Sequence, residues 1–329
     1  RLSRSAGDIG RKWGLQKTPG PGLIGKRLGN LMPDCDVLIL GDYFLDIIIT
    51  GLKEVPRLGA EVYGDALELA PGGAFILAAA LQRLGVRALW AARLGSDLFS
   101  RFVRDQALAA NLEDALFEYF DRPLRSVSTS FSFTQDRGFI SYMDTFPPSR
   151  ARELVAAQRP RWVLNVPFNG SAENLQLVDF IHQHGGRVFI DCQYVTQTLA
   201  EPGLAALLQA IDVFAPNQSE ACQLTGEPAP QKAAARLAEL CPLVIVKCGA
   251  DGAYAQAGKH SWHSPALKVD VIDTTGAGDS FNAGFLAAHL RGEPLELCLR
   301  YGNICGGLST TRRGGASAVP TLEQLQHYL

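Results

Sequence analysis

The sequence predicts an α/β fold: a predominantly parallel sheet flanked by helices, with a small antiparallel β lid. Three observations carry this expectation. From Asp36 onward, short β-rich apolar runs alternate with longer helical patterns. The runs are almost continuously apolar, as expected of parallel strands covered on both faces. Two stretches break the alternation with strand-like sequence and no convincing helix, and these supply the lid.

Each element can be read in order. The apolar runs are VLIL (37–40), ALWAA (88–92), WVLNV (162–166), RVFID (187–191), DVFAP (212–216) and LVIVK (243–247). Between them, residues 73–85, 96–110, 171–185 and 230–241 have helical length and periodicity. The first exceptional stretch spans about 45–70. The second, about 125–144, alternates Val127, Thr129, Phe131 and Phe133 with serines, turns at residues 135–138 and returns through Phe139, Ile140 and Tyr142. It reads as a hairpin with one apolar and one polar face. Such a flap suits a lid that excludes water from a site, and its apolar face suits an oligomer contact.

Composition narrows the function classes. At 329 residues the chain is long enough for one large α/β domain, and 47% hydrophobic residues are ample for its core. A formal net charge of −2 gives no reason to expect nucleic acid as the main partner. No apolar run approaches the roughly 20 residues of a membrane span. The seven cysteines are scattered without a CxxC pair, which fits reduced thiols in a cytoplasmic protein better than a disulfide framework or zinc site. Residues 1–33 are rich in Arg, Lys, Gly and Pro without an apolar signal core, and are expected to be a basic, flexible tail preceding a single domain over 34–329.

The chemistry concentrates in DTTGAGDSFNAGF (273–285). Gly276 and Gly278 remove the Cβ atoms that would keep an anion off the backbone, and Ala277 is nearly as small. A helix beginning near Ala277 presents unpaired N–H groups and the positive end of its dipole, which suits a phosphate. A carboxylate at Asp279 could be a helix cap, a metal ligand or a catalytic base. It would repel a static phosphate, but it makes sense as a base touching an attacking hydroxyl while adjacent N–H groups stabilise the transferred group. Neither a GxGxxG dinucleotide fingerprint nor a Walker A loop is present here.

This stretch resembles the C-terminal signature of the ribokinase-like (PfkB) carbohydrate kinases almost residue for residue. PGGAFILAAALQRLG (71–85) is similar to their N-terminal signature, NQSE (217–220) to their N-x-x-E element, and KCGADGAY (247–254) to their nucleotide-contacting stretch. The resemblance, which runs from about Asp36 to the C-terminus, implies a Rossmann-like kinase domain using ATP and Mg²⁺, with a small sugar or nucleoside as acceptor. It implies Asp279 as the base, with Gly276, Ala277 and Gly278 forming an anion hole. Asp46, and less strongly Asp42, would hold sugar hydroxyls, and Gly72 and Gly73 would let the backbone pass close to the sugar. Asn217 and Glu220 would organise water around magnesium. Lys247, Gly249, Gly252 and Asn303 would lie along the nucleotide. Asp273, Thr275, Ser309, Arg312 and Gly314 would surround a monovalent cation such as K⁺. The family's habit of pairing lids implies a homodimer.

One departure stands out. The N-terminal signature usually carries Asn where this chain has Ile76, and Ile cannot hydrogen-bond a sugar hydroxyl. A non-catalytic nucleotide- or sugar-binding sensor is therefore the alternative to a kinase with an unusual acceptor.

Overall fold

The computed structural model describes residues 35–55, 57–132, 137–192 and 195–329. The basic segment 1–33 and residues 135–136 of the expected hairpin turn lie outside the described residues, as does Phe133.

In chain order the strands are β1 (Val37–Ile39), β2 (Tyr43–Thr50), β3 (Ala66–Gly73), β4 (Ala88–Trp90), β5 (Arg93–Leu94), β6 (Glu118–Tyr119) and β7 (Ser126–Ser132). They continue as β8 (Arg137–Met143), β9 (Trp162–Leu164), β10 (Arg187–Ile190), β11 (Val213–Phe214), β12 (Leu243–Lys247), β13 (Ala253–Ala257) and β14 (His260–Ser264). The main sheet has the order β14-β13-β12-β11-β10-β9-β1-β4. It is parallel from β4 to β12 and antiparallel only at β13 and β14.

The continuous apolar runs find their reason in two cores, one on each face of this sheet. Val37, Ile39, Leu164, Phe189 and Ile245 join one cluster, whereas Leu38, Val163, Val188, Ile190 and Val244 join the other. Alternate side chains point to opposite faces, so a strand covered on both must be apolar at every position.

Four helices matter for function: α1 (Ala74–Arg83), α2 (Gln218–Thr225), α3 (Ala277–Leu290) and α4 (Leu295–Ser309). Helix α3 is buried from Ser280 to Ala288, because it packs against α4 as well as the sheet. Asp191 and Asn217 follow the carboxyl ends of β10 and β11, and Lys247 ends β12. Loop residues beyond the carboxyl ends of parallel strands are where ligands bind in open α/β sheets.

The lid is a four-stranded sheet in the order β3-β2-β7-β8. Its outer pairs are antiparallel, as expected, and its central pair β2–β7 is parallel. The chain between those two strands is long enough for such a crossover. Directly paired residues share a face, which sorts the lid cleanly. Asp46 pairs with Ala70 and Ser128, while Ile47 pairs with Leu69 and Thr129. The Asp46 face turns toward the main body, where the Arg313 Nη2 donates to Thr50 Oγ1 at 3.2 Å. The opposite face exposes Leu67, Leu69, Ile140 and Tyr142, with Leu67 66% and Ile140 68% accessible.

Candidate active site

The turn before α3 is built on a glycine in a left-handed conformation. Gly276 is the N-cap with φ +68, a left-handed conformation that glycine adopts without the penalty of a Cβ. A Cβ there would also lie 2.6 Å from Ile76 Cδ1. The Ser280 N–H donates to the Gly276 carbonyl at 2.9 Å, so the helix closes its first turn around Asp279. The Ala277 N–H already donates to Thr274 O at 3.3 Å, which leaves Gly278 and Asp279 as the better anion donors of the group.

Asp279 is partly reachable by solvent yet enclosed by protein on most sides. Burial pushes its carboxyl up to about 7; the carboxylates of Asp191 and Asp46 reinforce the rise and Lys247 opposes it. Asp46, only 9% exposed, is likewise pushed up to about 7 by burial and then by the negative charge of Asp273. A Cβ on Gly72 would overlap the Asp46 carboxylate, so the missing side chain at this position creates the acid's space. Gly73, with φ +62, turns the chain from β3 directly into α1.

Asp42 is placed differently from the expected hydroxyl-binding role. Its two carboxylate oxygens are gripped by Arg93, Nε at 2.9 Å and Nη2 at 2.5 Å. The bidentate guanidinium occupies one acceptor position on each oxygen and fixes the carboxylate toward Arg93. Ile76 also lies elsewhere than at an open sugar wall. It is 2% exposed and packs beneath the anion-hole loop, against Gly276 and Gly315.

Asn217 and Glu220 form a reciprocal capping box at the start of α2: Asn217 Oδ1 accepts from the Glu220 N–H at 2.9 Å, and Glu220 Oε2 accepts from the Asn217 N–H at 2.7 Å. The N-x-x-E spacing thus has a structural use alongside any role toward a cation. Burial raises the proton affinity of Glu220, which is 7% exposed. Asp191, Cys192 and Glu220 bring two carboxylate oxygens and a thiol within 4.8 Å of one another.

The nucleotide-side residues are more committed than their spacing implies. Gly249 opens a 3₁₀ turn over Gly249–Asp251. A Cβ on Gly252 would run into the Ser264 carbonyl, and the same carbonyl accepts from Asn303 Nδ2 at 2.8 Å. Asn303 therefore ties α4 to the end of β14 with one of its two amide hydrogens. The Lys247 ammonium is no solvated strand end. It donates to Asp191 Oδ2 at 2.5 Å and lies 3.2 Å from where a Cβ of Gly278 would stand.

Of the residues expected to surround a monovalent cation through backbone oxygens, Asp273, Thr275 and Gly314 are joined by hydrogen bonds. Asp273 Oδ1 accepts from the Thr275 N–H at 2.9 Å and from Thr275 Oγ1 at 2.7 Å, while Oδ2 accepts from the Gly314 N–H at 3.2 Å. The carboxylate itself joins the two loops. Ser309 Oγ turns back to the Gly306 carbonyl of its own helix, and the Arg312 side chain is exposed.

Asp191, Asn282 and Arg93 were missed from the sequence. Asp191 closes the RVFID run and Asn282 lies inside the 273–285 signature, so both were in view without a spacing that marks them. Asn282 Nδ2 donates to Asp191 Oδ2 at 2.6 Å, across 91 residues of chain.

Comparison with known proteins agrees with this geometry. Residues 165–322 match the model of the pfkB family carbohydrate kinases. Aminoimidazole riboside kinase of Salmonella typhimurium is 29% identical over 289 residues, spanning 79% of this chain and 88% of that protein. Arabidopsis thaliana ribokinase complexed with ribose and ATP superposes with a TM-score of 0.74 at 20% identity, covering 89% of this chain and 98% of that one. A putative ribokinase II from E. coli in complex with ATP and Mg²⁺ gives 0.70 at 21% identity, with 89% and 98% covered. The chain is thus similar to the pfkB family carbohydrate kinases over residues 165–322 and shares the ribokinase fold.

Proposed function

We propose that this ATP-dependent sugar kinase uses Asp279 as the base for transfer of the γ-phosphoryl group to a hydroxyl, expected to be primary, of a small sugar or nucleoside. The observation that carries the reading is a carboxyl with a pKa near 7 at the mouth of a helix N-terminus. A base poised near the working pH can take the hydroxyl proton without being permanently protonated. The acceptor oxygen bonds to the γ-phosphorus as the bond to the bridging oxygen of ADP breaks, and the hydroxyl proton passes to Asp279. The N–H groups of Gly278 and Asp279, with the Gly276–Ala277 turn leaving room, stabilise the charge on the transferring group.

Asp46 is the residue we assign to acceptor hydroxyls, because its carboxylate stays clear of basic partners while Asp42 is taken by Arg93. Magnesium keeps most of its waters and prefers hard oxygen ligands. The buried Glu220, its proton affinity raised, suits a hydrated cation, whereas the Cys192 thiol does not suit direct coordination by magnesium. When bound, the ion would neutralise phosphate charge, with Glu220 and Asn217 orienting its waters. The Asp273 loop, with Thr275 and Gly314, remains the place for a monovalent cation. The lid's inner face closes over the acceptor, and its exposed apolar face is the surface on which two copies would pair. Residues 34–329 form one kinase unit in this reading.

The intact base and anion turn favour a kinase over a sensor, and Ile76, buried under the loop, supports that turn and leaves acceptor choice to other residues. A panel of sugars, sugar acids, polyols and nucleosides, assayed for ADP release with native protein and with Asp279→Asn, tests both points. An acceptor that the native protein turns over, with activity lost in Asp279→Asn, supports the assignment. Near-native turnover by Asp279→Asn refutes it, and no turnover of any acceptor supports the sensor.

A further inference from the structure

Three charged groups bear on Asp279 from the elements around it: Asp191 after β10, Asp46 on β2 and Lys247 at the end of β12. Two are carboxylates, like Asp279 itself, so Lys247 is the cation of the group. A nucleotide phosphate entering here meets excess negative charge unless Lys247 turns toward it. The ammonium already lies against Gly278, the middle of the anion turn, at 3.2 Å from its potential Cβ position. Asp191 holds it there, and Asn282 of α3 holds Asp191. Both donors crowd onto Asp191 Oδ2, while Oδ1 is shut from solvent and has no hydrogen-bond partner among the described residues. Placing both donors on one oxygen of a part-buried carboxylate leaves the ammonium free to exchange Asp191 for a stronger anion.

We infer that Lys247 is a catalytic residue, parked on Asp191 in the free protein and donating to the transferring phosphoryl group, with Asp191 and Asn282 as its positioning residues. This rests on the assignment of Asp279 as base. Lys247 neither gains nor loses a proton: it stabilises charge while the phosphorus–oxygen bond to ADP breaks and the new one forms.

The test compares Lys247→Met, Lys247→Arg, Asp191→Asn and Asp279→Asn at saturating Mg²⁺ and ATP, with ATP affinity measured directly. Lys247→Met should lower kcat by about 100-fold or more, with ATP affinity changed less than about fivefold and at least tenfold of the loss restored in Lys247→Arg. The acid limb of kcat/KM discriminates further. Removing the Lys247 charge should move it to higher pH, and removing the Asp191 charge should move it to lower pH, each by roughly one unit. These opposite signs check that both charges face Asp279, while the kcat loss and its rescue by Arg separate a catalytic ammonium from a merely structural salt bridge. Lys247→Met turnover within about threefold of native, or limbs moving in the same direction, overturns the inference. If Lys247→Met does not fold, Lys247→Gln and Asp191→Asn carry the same two readouts. An inactive Asp279→Asn beside a native-like Lys247→Met removes this inference alone, whereas an active Asp279→Asn removes the base assignment.

Discussion

The two ends of the main sheet handle charge in opposite ways. At the amino ends of the strands, Asp36 pairs with Arg161 at 3.1 Å, and Asp212 accepts from the Val188 N–H at 2.9 Å and pairs with His182 at 2.8 Å. That end also has a polar cleft of about 360 Å³, bordered by His182, Arg187 and Asp212. At the carboxyl ends, Asp191, Glu220 and Asp279 gather around Lys247, Asp46 of the lid faces Asp279, and burial raises the proton affinity of three of these four acids. One end spends each charge on a partner, while the other keeps carboxylates in surplus at a cost in stability. Acids raised by burial and by one another mark candidate sites of chemistry, since a matched ion pair acts in the opposite direction and favours the charged carboxylate.

The sharpest way to break this comparison is to remove one acid from each end. Asp279→Asn should lower turnover by about 10³-fold or more, whereas Asp212→Ala should leave kcat within about twofold; both are read in one steady-state assay. Asp46→Asn should come next, raising the acceptor KM by about 10- to 100-fold with the ATP KM little changed. An unchanged acceptor KM would remove Asp46 from the acceptor site.

Stability should invert the ranking. Asp212→Ala should cost about 2–3 kcal/mol in denaturant unfolding, because it strands the Val188 N–H and the His182 ring. Asp279→Asn should stabilise the protein at pH 8, by on the order of 2 kcal/mol after allowing for partial solvent access. The sign follows from a folded-state value near 7 above an ordinary 3.8. The acid's contribution is fully favourable below about 3.8 and is lost as pH rises through about 7. The gain should therefore shrink toward pH 4, and melting curves across this range would check it. A gain of equal size at both pH values would point to packing as its cause.

Much of the fold was legible because its signals are local. Helix α3 begins at Ala277 as its glycine turn implies, and the runs over 37–40, 162–166 and 187–191 all contain strands of the main sheet. The lid could be read as two strand-rich stretches, yet the parallel pairing of β2 with β7 could not. Nothing in a strand's composition specifies a neighbour some 80 residues away. Asp42 and Asp46 illustrate the same limit at the site. Both are acids shortly after Gly41, and only the position of Arg93 distinguishes an occupied carboxylate from an available one.

The backbone chemistry of the site was therefore present in the sequence: a Gly-Ala-Gly turn, an acid behind it and a helix to carry both. Those features depend on φ, on missing Cβ atoms and on neighbours within one turn, which residue order specifies directly. Folding settled which charges meet. Lys247 reaches Asp191 across 56 residues, Asn282 reaches the same oxygen across 91, and Ile76 lies under a loop 200 positions away. Such pairings arise when separate strands and helices converge at the end of the sheet, and spacing along the chain carries no record of that convergence.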